Sequence, residues 1–386
     1  MFARILIMTM AMAIALGFTG CGEVQEEVKE PIKIGAIFAV TGGASFLGAP
    51  ESKTAQMLVD EVNAKGGIAG RKIELLIKDS GANPEKAISF TKQLIEEENV
   101  FAIIGPSTSG ESMKIKGICN EAKTILVSCA AAEVIVDPVT PYIFKTPQKD
   151  SDAVRWIYGT MKELGITKIG ITASNSGFGK AGKGQLEKIA PEFGIEVVIS
   201  ETYDRAATDL TSVVTKIKGA GVEGVVNWSI VPAQSIIAKN MRQIGLDVPL
   251  FQSHGFGNIR YAKEAGEAGE GIIFPCGRLL VADVLPDGHP QKQVLAKYKK
   301  DYESKYNEDV STFGGHAYDA IVLLFKAIEV SGGDRVKARD ALENIKGLVG
   351  TAGVFNMSAA DHNGLDKTSF EMLTVKDARY SNSKSR

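Results

Sequence analysis

Apolar and polar positions along the chain follow two rhythms. Short segments such as IKIGAIFAV (32–40), KIELLIKDS (72–80), VFAIIGP (100–106) and TILVS (124–128) are dense in apolar, β-branched residues. Segments of that length, bounded by turn residues, read as strands. Between them, SKTAQMLVDEVNAKGG (52–67) and NPEKAISFTKQLIEEEN (83–99) repeat apolar residues at helical spacing. The first closes on glycine; the second opens with Asn83 and Pro84, a helix-start signal. A third helix is expected from about residue 109. Strand and helix in strict alternation predict a parallel sheet covered by helices.

A second series begins after YIFKTPQKDS (142–151). Its expected helices are 151–164, 179–193, 209–219 and 233–244, interleaved with the strands KIGITAS (168–174), EVVISETY (196–203), GVVNWS (224–229) and PLFQSHG (249–255). GIIFPCGRLLV (271–281) reads as a long extended crossing, helices follow at 290–306 and 314–331, and MLTVKDARY (372–380) reads as a last short strand. The fold class is therefore α/β, with two doubly wound parallel-sheet lobes joined by a three-segment hinge. Residues 32–147 and 279–353 are expected in lobe 1, and 148–278 and 354–386 in lobe 2. The hinge segments are placed near 146–150, 275–280 and 352–356.

Composition narrows the function. With 386 residues, 44% of them hydrophobic, the chain can bury two cores. A net charge of -2 and no long basic run argue against a nucleic-acid partner. Arg4, the apolar segment Ile5 to Phe18 broken only by Thr9, and Thr19-Gly20-Cys21 form a signal peptide over 1–21. The apolar part is shorter than the about 20 residues that a spanning helix needs. GFTGC resembles a lipobox, in which Cys21 is lipidated and becomes the new N-terminus. GEVQEEVKEP (22–31) then reads as a flexible tether. The expected location is exported, periplasmic or on the outer face of the membrane, with the membrane touched only through a lipid anchor. Cys119, Cys129 and Cys276 remain in the mature part, an odd number without a CxxC, and none of the four histidines lies in HExxH. Neither a metal nor a cofactor is expected.

Two stretches carry candidate chemistry. TGGASFLG (41–48) follows a strand, and Tyr158 and Lys162 have Tyr-x-x-x-Lys spacing, as in an NAD-dependent epimerase or dehydrogenase. Ser45 stands where that loop needs a glycine to approach a pyrophosphate, and the acidic residue expected about 20 residues on is missing. IIGPSTSGES (103–112) turns from strand to helix with Ser107, Thr108 and Ser109 at the turn. Such hydroxyls cap helices, and helix N-termini attract anions. The neighbouring strand ends in SCAAA (128–132), small residues at the edge where open α/β sheets bind ligands.

In their order and spacing, IKIGAIFAVTGGASFLG, VNAKGGIAGRKIELLIKD, FAIIGPSTSG, TILVSCAAA, FGKAGKG, DLTSVVTKIK and DHNGLDKTSFEMLTV resemble the substrate-binding proteins of ABC importers, of the Leu/Ile/Val-binding type with the type I periplasmic binding protein fold. The resemblance covers nearly all of the mature chain. It implies a protein that is not an enzyme and that captures a small carboxylate by lobe closure, for delivery to an ABC permease. It places the ligand carboxylate at Ser109, Ala130 and Ala132, with Ser107 and Thr108 nearby. Phe46 is expected over the ligand, and Phe178, Trp228 and His254 from the second lobe. Two departures stand out: Ala132 replaces a frequent Thr, and His254 stands where amino-acid binders commonly carry an acid for the ammonium group. Either Asp204 or Glu201 supplies that acid, or the ligand has no ammonium. A branched-chain or other hydrophobic amino acid is the first expectation, an aromatic or aliphatic acid the alternative. A periplasmic sensor would reuse the same fold.

Overall fold

A computed structural model describes residues 29–383. The signal segment 1–21 with Cys21, and most of the tether, lie outside the described residues. Strands β1 (Ile32–Phe38), β2 (Ile73–Asp79), β3 (Ala102–Ile104), β4 (Ile125–Ser128) and β5 (Ile143–Lys145) form one parallel sheet in the order β2-β1-β3-β4-β5. Successive side chains feed opposite faces: Ile34, Ala36 and Phe38 enter one core, Ile37 the other. The same split separates Ile104 from Ile103 and Val127 from Leu126. Burial on both faces is why these strands read as apolar runs without alternation.

The second sheet holds β6 (Lys168–Ser174), β7 (Glu196–Tyr203), β8 (Gly224–Trp228), β9 (Leu250–Gln252) and β10 (Ile273–Cys276), followed after a small antiparallel pair, β11 (Leu348–Val349) and β12 (Val354–Phe355), by β13 (Glu371–Lys376) and β14 (Arg379–Asn382). Its order is β14-β13-β10-β9-β8-β6-β7, with β13 and β14 antiparallel at one edge. The tail is thus a hairpin, not a single strand. GIIFPCGRLLV is also not one extended crossing: β10 ends at Cys276 and a 3₁₀ segment runs Arg278–Val284.

Two boundaries depart from the sequence reading. The first helix runs Ser45–Ala64, with Pro50 inside it. Proline has no N–H for the carbonyl four residues back. That carbonyl belongs to Phe46, and it accepts instead from Asn258 Nδ2 of the other lobe at 3.0 Å. The final return to the second lobe also comes later than 354. Phe355, Met357 and Leu365 lie in the first-lobe core, and His362 stacks on Phe144 at 4.2 Å. The crossing therefore falls at about 366–370, where Phe370 joins the second core. The crossings are tied together by buried polar contacts. Gln148 Nε2 donates to the Ala352 carbonyl at 2.9 Å, and the Asp319 carboxylate accepts from the Thr351 and Ala352 amides at 2.6 and 2.8 Å. Among the described residues Cys119, Cys129 and Cys276 are buried and unpaired.

Candidate functional site

The strand ends of both sheets face each other across the lobe boundary, where open α/β folds bind ligands. Two helices meet there end to end: Ser109–Glu121 after β3, and Gly177–Ile189 after β6. A Cβ on Gly177 would stand 2.8 Å from the Gly110 Cα, so two glycines let the lobes touch. Around this contact lie two cavities. The outer cleft measures about 850 Å³ and takes its charged lining from Lys114, Lys180 and Arg205. The inner chamber measures about 20 Å³ and is walled by both lobes, with Ser107, Ser109, Ala130, His254 and His316 among its lining. Ser109, Phe178 and Ile230 line both, so the two cavities share a wall.

The hydroxyl cluster is largely occupied by its own lobe. Ser107 Oγ accepts from the Ala39 amide at 2.9 Å and donates to the buried Glu51 carboxylate. Burial raises the Glu51 carboxyl to about 8, against the Ser107 hydrogen bond. Thr108 caps the helix: it accepts from the Glu111 amide and donates to Glu111 Oε2 at 2.6 Å. The Ala132 amide donates to Ser109 Oγ at 3.2 Å and the Ala130 amide to Ser128 Oγ at 3.1 Å. The two amides expected to grip a carboxylate thus have internal partners. The neighbouring turn is pinned by Lys145, fully buried, whose Nζ donates to the carbonyls of Ala131, Pro147 and Gln148.

The aromatic residues divide. Phe178 lines both cavities. Trp228 lines neither: its indole lies over Gly182, where a Cβ would be 2.0 Å from Nε1, and its ring backs Phe178 at 5.6 Å. Phe46 also lines neither. As part of the first helix turn it inserts into the second lobe, 5.1 Å from Tyr261, with the Arg260 guanidinium 3.9 Å over its ring. It joins the two lobes as a clasp.

His254 sits in the chamber wall, on the 3₁₀ turn His254–Phe256 after β9. Its ring is held edge-on by Phe178, Trp228 and Phe370 at 5.3–5.7 Å. Neither ring nitrogen has a hydrogen-bond partner. Burial, with Lys145 and His316 nearby, holds its pKa well below 6.5. Asp150 Oδ1, also without a hydrogen-bond partner, lies 3.6 Å from Nε2. Asp204 and Glu201 do not reach the site: Asp204 is exposed and bonds Asn175, and Glu201 pairs with Lys216 at 3.0 Å. Sequence reasoning missed His316, which stands on the helix Thr312–Ser331 with Nδ1 unpartnered and its pKa lowered to about 3 by burial and Lys145. It also missed the three cations of the outer cleft.

Comparison with known proteins agrees with this geometry. A family model described as periplasmic binding protein matches residues 31–377. The leucine-, isoleucine-, valine-, threonine- and alanine-binding protein of Pseudomonas aeruginosa is 24% identical over 81% of this chain and 82% of its own length. An extracellular ligand-binding receptor from Rhodopseudomonas palustris superposes with a TM-score of 0.86 at 27% identity, covering 92% of this chain and 99% of that one. The branched-chain amino acid transporter substrate-binding protein of Streptococcus pneumoniae, solved with isoleucine, gives 0.80 at 27% identity over 91% and 98%. These matches support export to the periplasm and a solute-binding role for an ABC transporter. With its two lobes, its cleft at the strand ends and a family match across nearly all of the described residues, the chain belongs to the periplasmic binding protein family.

Proposed function

We propose that the protein captures a small hydrophobic carboxylate that carries no ammonium group and delivers it to an ABC permease. The charge of the lining carries this reading. Lys114, Lys180 and Arg205 line the outer cleft, and no acidic side chain lines either cavity among the described residues. An ammonium taken out of water without a paired anion costs several kcal/mol, on the order of a whole binding energy for a small ligand. A carboxylate meets cations there, while Phe178, Ile230, Val231 and Ile236 accept an apolar body. A second reading, a branched-chain or other hydrophobic amino acid, is favoured by Asp150. Its unpartnered buried oxygen, 3.6 Å from His254, would serve an ammonium that displaced the imidazole.

Thermal shift separates the two, since a ligand of the native state raises the melting temperature by mass action. Leucine and 4-methylpentanoate differ only in the amino group. The acid, or benzoate, is expected to stabilise the protein while leucine, isoleucine and valine do not. A shift with the amino acids and none with the acids reverses the assignment.

A further inference from the structure

The inner chamber has a chemistry of its own, and the inference drawn from it rests on the carboxylate reading above. Its volume of about 20 Å³ is the space of one water or one hydroxyl group. Its walls are mainly apolar, among them Leu47, Cys129, Phe178 and Phe313. Into this small space come two buried imidazoles, one from each lobe, with three ring nitrogens that have no hydrogen-bond partner: His254 Nδ1 and Nε2, and His316 Nδ1. Buried polar groups are ordinarily paired, and leaving one unpaired costs about 1–3 kcal/mol. Two histidines drawn together this way stand ready for a polar group that comes with the ligand.

The imidazoles also select which group. Both are held neutral by burial and by the Lys145 charge. A neutral imidazole offers one donor and one acceptor. The Asp150 carboxyl oxygen, 3.6 Å from His254 Nε2, favours the proton on Nε2 and leaves Nδ1 as an acceptor. A carboxylate can only accept, so it cannot satisfy the His254 Nδ1 acceptor. A hydroxyl both donates and accepts, and has the size of the chamber.

We propose that His254 and His316 form a specificity subsite for a neutral hydroxyl group, so that the solute is a hydroxylated carboxylic acid. The carboxylate lies toward Lys114, Lys180 and Arg205 in the outer cleft, the apolar body beside Phe178 and Ile230, and the hydroxyl between the two rings. A site built to hydrogen-bond a hydroxyl discriminates strongly against the analogue lacking it.

Calorimetric titration of the full mature chain with matched acids tests this: benzoate against 2-, 3- and 4-hydroxybenzoate, and 4-methylpentanoate against its 2-hydroxy form. The wild-type protein should bind the best hydroxylated acid at least about tenfold more tightly than its parent. In His316→Phe that ratio should fall toward one. In His254→Gln, whose amide keeps a donor and an acceptor, part of it should survive. Equal affinities for parent and hydroxylated acids in the wild type overturn the subsite and leave the carboxylate reading standing, a result that needs no variant to fold. A preference that survives intact in both variants also overturns it. Binding of none of the acids overturns both readings together.

Discussion

Two sets of polar groups surround the same chamber and are treated in opposite ways. The serine and threonine loops after β3 and β4 answer their own needs: Ser107 serves Glu51 and Ala39, Thr108 serves Glu111, and Ser109 and Ser128 take the Ala132 and Ala130 amides. The two histidines are left open: three of their ring nitrogens have no hydrogen-bond partner although both side chains are buried, with Asp150 Oδ1 3.6 Å from His254 Nε2. The difference teaches where recognition resides. A polar group already satisfied by its own lobe gains little from a ligand, whereas an unsatisfied one gains a whole hydrogen bond. The hydroxyl loops are therefore assigned to building the wall and the imidazoles to reading the solute. If so, changes in the first set should move stability, and changes in the second should move selectivity.

The sharpest break of that division is a pH titration of Glu51. Burial raises its carboxyl from the ordinary 4.5 to about 8 in the fold. Between those values the folded chain holds a proton that the unfolded chain has released, so stability falls as the pH rises through this window. Glu51→Gln removes the titration. Comparing denaturant unfolding of the two proteins cancels the other buried acids, Asp150 and Asp319. The wild type is expected to lose stability relative to the variant from pH 4.5 to pH 8, by at most about 5 kcal/mol. Parallel curves would mean that Glu51 is not buried behind Ser107. Next in size is Ser107→Ala, which leaves the Ala39 amide and the Glu51 oxygen without their partner. A loss of about 3 kcal/mol in unfolding free energy is expected, with acid affinity nearly unchanged. A variant of normal stability that binds acids poorly would move Ser107 from the wall to the recognition set.

Much of this frame was legible in the chain, for a physical reason. Strands buried on both faces, such as β1 and β4, leave long apolar runs, and helices with one wet face leave a period, so the two lobes follow from pattern alone. The strand-end rule pointed to the loops of Ser109 and Ala130, while His254 came from the family resemblance. What failed was whatever a distant partner decides. Pro50 argues against a helix before residue 51, and the carbonyl it leaves free is answered by Asn258, some 200 positions away in sequence. Residues 354–365 stay in the first lobe through the His362–Phe144 stack. Trp228 was expected in the cleft from the family resemblance; Gly182 in KAGKG is the signal that the indole lies over the helix Gly177–Ile189 instead. His316 comes from a segment far from every expected loop. Its trace was the pair His316 and Asp319, two polar residues three apart on a helix otherwise dominated by apolar and small residues at its buried face.

The smallest predicted effect bears on what makes the comparison hold at all. The imidazoles share one small chamber only while the lobes touch; with the lobes apart bulk water would reach their nitrogens and their selectivity would lose its penalty. In the structure Gly177 lies against Gly110, and a methyl group there would meet backbone at 2.8 Å, which no side-chain rotation relieves. The Gly177→Ala backbone itself is unstrained, since this glycine begins an ordinary helix capped by Ser176. The substitution should therefore spare the fold and penalise the closed form alone. A ligand whose competent state is less populated binds more weakly in proportion. An affinity loss of about tenfold, or about 1.4 kcal/mol, is expected at unchanged melting temperature, together with a smaller preference for the hydroxylated acid. Calorimetric titration beside thermal unfolding checks both halves. If affinity and preference stay at wild-type values, the lobes need not meet at these glycines for the histidines to discriminate, and the chamber between them is not the source of selectivity.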